Sequence, residues 1–315
     1  MDVLSDAVTA MRTGKPHSGR VHRPAPFGLR NPPVAGAGFH IVLQGSCWLF
    51  PPEGAPDGAP DSPPDSARDS APVALGVGDV VFLPHGAAHG LADSPSTPLV
   101  DAATSPAGSS PGDDTATVML CGAYLLDRSR AHPLLDDLPE VIHLPARVGR
   151  HPGLRAAVDL LGGELEQPRP GGDAMLPALL DVLLLHILRA WFDEQSTHAA
   201  TGWAAALRDP AVAAGLRAIH SAPGRQWTVA ELAAQAGLSR AAFARRFATL
   251  VGQPPQTYLT WWRMTLAGRL LREGDATVAT VARKVGYTSE FAFAHAFKRE
   301  YGSAPGGFRR SARRA

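Results

Sequence analysis

The chain has 315 residues, 45% of them hydrophobic and 19% charged, with a formal net charge of +1. This balance fits a soluble globular protein of about two domains. Two cysteines in such a length exclude a disulfide framework and make a reducing cytoplasm the expected compartment.

The N-terminal stretch, Met1 to Arg12, carries Asp2, Asp6 and Arg12 and has no compact apolar centre, so it is not expected to be a secretory signal. Residues 1–130 then read as β. Short strands are expected at 39–45, 47–50, 76–84 and 117–121, where β-branched and aromatic residues lie between glycine and proline breaks. Two Pro/Asp/Ser/Ala tracts interrupt them, at 51–72 and 93–115. The first holds 7 prolines and 4 aspartates, so it cannot form a ladder, and both tracts are expected to be disordered insertions. Gly78, Pro84, Gly86 and His89 follow the spacing G-x5-P-x-G-x2-H. That spacing resembles the second motif of the cupins, small double-sheet β-barrels in which this histidine faces the cavity.

The resemblance implies a first motif with an H-x-H pair and a glutamate as further metal ligands. Only His40 stands in that region, and the glutamate's place falls near Gly38. A divalent metal normally needs three or more protein ligands, so the departure argues against a metallo-cupin enzyme and leaves no catalytic residue to name. His40, Cys47, His89 and Cys121 are the candidate effector pocket, suited to a small effector, to a soft metal held by His40 and His89, or to a thiol-based redox signal. The same four residues also fit a plain core of buried cysteines and hydrogen-bonded histidines. His85, before the turn, is expected to be exposed.

Residues 131–209 switch to helix. Pro152 to Gln167 places Leu154, Val158, Leu161 and Leu165 on one side, and Met175 to Phe192 carries a broad apolar stripe. Asp181, His186 and Arg189 interrupt that second run, which is too short and too charged for a comfortable membrane span. The stripe suits either a dimer contact or packing within its own chain. Asp209-Pro210 then opens a helix to Ile219.

The remainder contains one supersecondary unit twice. Thr228, Gly237, Ser239, Phe243, Phe247 and Gly252 recur as Thr277, Gly286, Ser289, Phe293, Phe297 and Gly302, and the two threonines lie 49 residues apart. Thr or Ser caps a helix, Gly supplies the left-handed turn, and the phenylalanines mark an i, i+4 apolar face. Helix, glycine turn, capped helix is the pattern whose second helix can enter a major groove. Residues 220–315 hold 15 Lys+Arg against 5 Asp+Glu, while the preceding 219 residues hold 15 against 24. A basic part beside an acidic one is the footprint of a polyanion binder.

Residues 237–247, 285–299 and 302–309 resemble the AraC/XylS family of transcription regulators, and the likeness spans roughly 210–310. It implies an α+β multidomain chain: a cupin-like sensor barrel over 1–130, a helical linker and candidate dimerisation segment over 131–209, and an all-α domain over 210–310 with two helix-turn-helix motifs. It further implies double-stranded promoter DNA and RNA polymerase as partners, with a homodimer as a further expectation and no membrane. Carried onto this chain, the DNA-facing positions are Arg240, Ala241, Ala244 and Arg245 in the first unit, and Glu290, Phe291, Ala294, His295 and Lys298 in the second. Arg246, Arg299, Arg309 and Arg310 join Lys298 as expected phosphate contacts. The competing functions are a cupin metalloenzyme fused to a helical domain and a protein-binding adaptor.

Overall fold

The structure, a computed structural model, describes residues 3–11, 14, 16–52, 71–104, 116–126, 132–195 and 201–312. It separates into two compact units, residues 12–194 and residues 1–11 with 195–315.

The first unit contains ten strands: β1 (His17–Arg23), β2 (Gly28–Asn31), β3 (Ala37–Gln44), β4 (Cys47–Phe50), β5 (Val73–Leu75), β6 (Val80–Leu83), β7 (His89–Ala92), β8 (Val100–Asp101), β9 (Thr117–Tyr124) and β10 (Ile142–Leu144). They form two five-stranded sheets, in the orders β1-β9-β3-β6-β10 and β5-β4-β7-β2-β8. Leu29, Leu49 and Leu91 of one sheet and Val42 and Met119 of the other share one core, so the sheets pack face to face. The opposite face of the first sheet is buried too, because Phe39, Ile41 and Phe82 have no exposure. There Tyr124 donates its hydroxyl to the Leu180 carbonyl at 2.8 Å. Leu180 belongs to α4 (Gly172–Gln195), which with α3 (Pro152–Glu166) covers that face. Leu154, Val158 and Leu161 are buried on α3, and Leu183, Ile187 and Leu188 on α4. By length and composition α4 would also reach across a bilayer, but its Leu180 to Phe192 face is packed against protein. A short α2 (Pro133–Asp136) completes this unit.

Several expectations change here. The strand expected over 76–84 is confined to Val80–Leu83, because Gly76–Asp79 makes a turn closed by Asp79 N–H to the Gly76 carbonyl at 3.0 Å. Gly78 holds φ +87° at its tip, a conformation that glycine adopts without strain. The tract at 93–115 is not wholly disordered: Asp93 N–H donates to Phe27, and β8 pairs in parallel with β2. Residues 53–70 and 105–115 of the two tracts lie outside the described residues. Residues 3–11, expected within a β domain, form the helix α1 (Val3–Met11) and belong to the second unit. The segment 131–209 is divided between the units instead of standing alone, since β10 joins a sheet through β6.

The second unit is helical: α5 (Gly202–Arg208), α6 (Pro210–Ser221), α7 (Val229–Gln235), α8 (Arg240–Val251), α9 (Pro255–Glu273), α10 (Val278–Lys284), α11 (Glu290–Tyr301) and α12 (Pro305–Ala312). The two repeats become the pairs α7–α8 and α10–α11. Thr228 and Thr277 cap the first helices, accepting from Glu231 N–H at 3.1 Å and Thr280 N–H at 3.2 Å. Ser239 and Ser289 cap the second helices, each at 3.3 Å. Gly237 and Gly286 stand between them with φ +66° and +85°. Phe243, Phe247, Phe293 and Phe297 are wholly buried. Truncating one of them to alanine costs about 3–5 kcal/mol.

Helix α1 is held to this unit by Val3, Leu4, Ala7 and Val8, all buried, and by a polar contact to α6. The His220 ring has no side-chain exposure and stacks on Trp262 with centroids 4.1 Å apart. Its Nδ1–H donates to Asp6 Oδ2 at 3.3 Å, leaving Nε2 to accept from the Tyr258 hydroxyl at 2.7 Å. Asp6→Ala is expected to lower the stability of the helical unit by about 1–3 kcal/mol, because a buried donor loses its charged acceptor. Urea unfolding followed by tryptophan fluorescence measures this, and an unchanged midpoint would place α1 outside the cooperative unit.

Candidate nucleic-acid interface and sensor core

The buried phenylalanines determine which face of α8 and α11 remains free. On α8, Arg240, Ala241 and Arg245 are exposed and Ala244 is half-buried. On α11, Glu290, Phe291, His295 and Lys298 are exposed and Ala294 is half-buried. Phe291 is 83% exposed, an unusual position for an aromatic ring on a folded surface. All nine expected positions thus lie on two faces turned away from the unit's core.

The expected phosphate contacts divide. Arg246 is committed elsewhere: its guanidinium pairs with Asp209, which is 8% exposed and also caps α6 by accepting from Ala211 and Val212 N–H. Arg309 donates to the Ala276 carbonyl and Arg299 pairs with Glu300 at 3.5 Å. Arg310 remains in the last turn of α12.

Sequence reasoning missed the group that sets the two helix pairs against each other. Arg263, in α9, is 9% exposed and donates Nε to the Pro223 carbonyl at 2.7 Å and Nη2 to the Arg225 carbonyl at 2.8 Å. Burial pushes its guanidinium below the usual arginine value, with Tyr287 opposing the shift. The loop it holds touches the turn of the second pair, where Gln226 donates to the Gly286 carbonyl. A Cβ on Gly286 would lie 2.6 Å from the Gly224 carbonyl oxygen and 2.9 Å from Arg263 Nη2. A Cβ on Gly224 would lie 2.8 Å from the Lys284 carbonyl oxygen. Glycine at both positions lets backbone meet backbone, and the arginine clamps the contact. The glycines were visible in the sequence, but their partners 60 residues away were not.

In the sheet unit, three of the four candidate pocket residues meet. His40 and Cys121 are register partners on β3 and β9, while His89 comes from β7 in the other sheet. His89 Nδ1–H donates to the Ala87 carbonyl at 3.0 Å, so its Nε2 accepts, and His40 Nε2–H donates to it at 2.8 Å. His40 Nδ1 is then an acceptor, filled by the Cys121 thiol at 3.1 Å. The result is a neutral chain across both sheets. Burial, then His89, lowers the His40 pKa from 6.5 to about 3. Burial also lowers the His89 value, against the Ala87 bond, and raises the Cys121 thiol to about 12. Cys47 does not join: it is 1% exposed, its Sγ lies 3.9 Å from Met119 Sδ, and burial pushes its thiol up to about 12.

One ion taking both Nε2 atoms would have Cys121 on the wrong side of the His40 ring. Among the described residues no three His, Cys, Asp or Glu side chains converge as a metal site. Asn31, the register partner of His89, has a buried amide nitrogen without a hydrogen-bond partner. His85 is half-buried and bonded to the Leu138 carbonyl at 2.9 Å, in place of the exposure expected for it.

The neutral chain predicts an acid-sensitive sheet unit. Between pH 6.5 and about 3 the unfolded chain binds a proton at His40 that the folded chain refuses. Stability therefore falls as pH drops through that window. His40→Gln should flatten the fall in melting temperature between pH 7 and 5; a variant with the wild-type slope would refute the assignment.

Comparison with known proteins comes to the same two parts. A cupin family profile matches residues 2–193, and a helix-turn-helix domain profile matches residues 232–311. An AraC-like transcription regulator of Streptomyces lividans is 35% identical over 318 residues, covering 98% of both chains. One from Streptomyces antibioticus is 40% identical over 63% of this chain and 65% of its own. The solved DNA-binding domain of AdpA, in complex with a target DNA, is 36% identical over 34% of this chain and 95% of that chain, with a TM-score of 0.32. The chain belongs to the AraC-like transcription regulators, DNA-binding proteins that here join an N-terminal cupin domain to a C-terminal helix-turn-helix domain.

Proposed function

We propose that α8 and α11 are the two base-reading helices of a double helix-turn-helix domain, entering successive major-groove segments about 34 Å apart. The observation that carries this reading is the pair of exposed faces opposite the buried phenylalanines, with Phe291 at 83% exposure. Arg245 suits guanine O6 and N7 bidentately, Glu290 a cytosine amino group, His295 a base or phosphate, and Phe291 a thymine methyl. Arg240 and Lys298 flank these positions as cations for phosphate or base. Ala241 and Ala244, with Ala294 in the second helix, leave little direct readout, so DNA shape supplies much of the specificity. Arg246 and Arg309 already bond to protein groups. The pair of Arg299 with Glu300 at 3.5 Å is largely exposed on the arginine side and weak, so Arg299 and Arg310 stay available to phosphate.

The cupin domain is the signal-receiving part, and RNA polymerase is the expected downstream partner by family. The neutral, partly buried His40–His89–Cys121 chain favours a structural or ligand-lining role over a reactive thiol, since a protonated thiol is a poor nucleophile. A homodimer through α4 is supported by Met175 and Val182, apolar side chains 49% and 42% exposed on its outer side.

Two measurements test the reading. Selection of bound fragments from sheared genomic DNA should enrich a discrete site whose log affinity falls steeply with log salt. Arg245→Ala should then lose about 1–3 kcal/mol at one base pair and relax preference there alone. A uniform loss across sequences would make Arg245 a phosphate contact, and salt-insensitive binding would sink the DNA reading of these faces. Arg263→Met should weaken the two-segment site at least tenfold and leave each half-site's base preference intact. Altered base preference would show that Arg263 does more than position the helices.

A further inference from the structure

The sheet unit is acidic, with 13 Lys+Arg against 21 Asp+Glu over residues 12–194. Its described cleft is nevertheless basic. This cleft of about 530 Å³ lies between the β5–β6 turn, the loop after β10 and the first turns of α3. Its ionisable lining consists of Arg147, Arg150, His151 and Arg155, with no carboxylate. The rest is largely apolar, including Leu144, Pro145, Leu154 and Val158. The volume falls within the about 300–1,000 Å³ common for small-molecule sites.

The cleft has built walls. Asp79, 9% exposed and outside the lining, accepts from Gly76 N–H at 3.1 Å and from Ala146 N–H at 2.7 Å. Its Oδ2 also meets His143 Nε2 at 3.1 Å. One carboxylate thus pins the turn and the loop to each other. The loop closes with His151 in left-handed geometry, φ 48°, the one non-glycine residue with positive φ among the described residues. Nearby acids occupy part of the charge: Glu194 meets Arg150 at 3.6 Å and His151 at 3.3 Å, and Asp159 meets Arg155 at 3.5 Å. The Arg155 pair is more than 60% exposed on both sides and therefore weak. Arg147 makes no ion pair among the described residues.

We propose that this cleft binds an organic anion, a carboxylate or similar group carried on an apolar body. Arg147 and Arg155 hold the charge, and Leu144, Pro145, Leu154 and Val158 cover the rest. A bare inorganic ion would leave the apolar lining unused, and a neutral apolar molecule would make no use of the guanidinium groups at its rim. The site would give the cupin domain a ligand class, so its regulatory meaning rests on the sensing reading above, while its occupancy does not.

Four shape-related or charge-only probes test it on the full-length protein: 1-naphthoate, 1-naphthalenemethanol, 1-naphthylmethylamine and inorganic phosphate, compared by calorimetric titration without DNA. The expected result is binding of 1-naphthoate at least tenfold tighter than any of the other three. Arg147→Glu should weaken 1-naphthoate at least tenfold, whereas Arg147→Lys should retain most of the affinity, which separates charge recognition from misfolding. Equal binding of phosphate or the alcohol, or unchanged 1-naphthoate affinity in Arg147→Glu, overturns the site. Operator affinity with and without saturating 1-naphthoate is read separately. A bound ligand that leaves it unmoved overturns the effector role while the cleft assignment stands.

Discussion

A single buried guanidinium fixes how the two helix pairs of the helical unit meet. Two helix pairs joined by a long helix have no intrinsic spacing, and two recognition helices are useful together only if their separation matches successive turns of the groove. Arg263 is placed midway along α9, where it binds the carbonyls of the loop preceding the first pair and presses on the turn of the second. A charged group is costly to bury unless fully hydrogen-bonded. That cost makes the arrangement specific, because any relative slip of the two pairs would strand the guanidinium. Gly224 and Gly286 are the complementary half of the device, since side chains there would separate the backbones that the arginine draws together.

The sheet unit solves a related problem with neutral groups. His40, His89 and Cys121 lie between two sheets where charge cannot be solvated, and the tautomers chain so that each nitrogen is satisfied once. In the cupin relatives the sequence resembles, this face carries metal ligands. Here glycine stands at position 38, the next position on the His40 face of β3, and the two imidazoles bond to each other. These hydrogen bonds tie one sheet to the other.

The helix pairs of the DNA-binding half were legible in their caps, turns and core positions because those signals are local. Threonine and serine caps, left-handed glycines and phenylalanines four apart all act within one or two helical turns, and each appears where its spacing predicts. The sensor half was legible only at its apolar strands. β1 reads His-Ser-Gly-Arg-Val-His-Arg, with no apolar alternation, and owes its strand conformation to seven register pairs with β9 that no local pattern announces. The first residues were expected within a β domain, yet the partners of α1, His220 and α9, lie more than two hundred residues away. The exposure expected of His85 failed for the same reason, because it bonds to the Leu138 carbonyl 53 residues away, and the Asp209 partner of Arg246 was equally hidden.

Charge segregation links these observations to function. The unit that carries α8 and α11 has 17 Lys+Arg against 8 Asp+Glu, and the sheet unit has the opposite balance. A polyanion is therefore attracted to one unit and repelled by the other, which orients the approach before any base is contacted. Within the acidic unit the proposed cleft is a local reversal of charge, since Arg147, Arg150, His151 and Arg155 line it without a carboxylate.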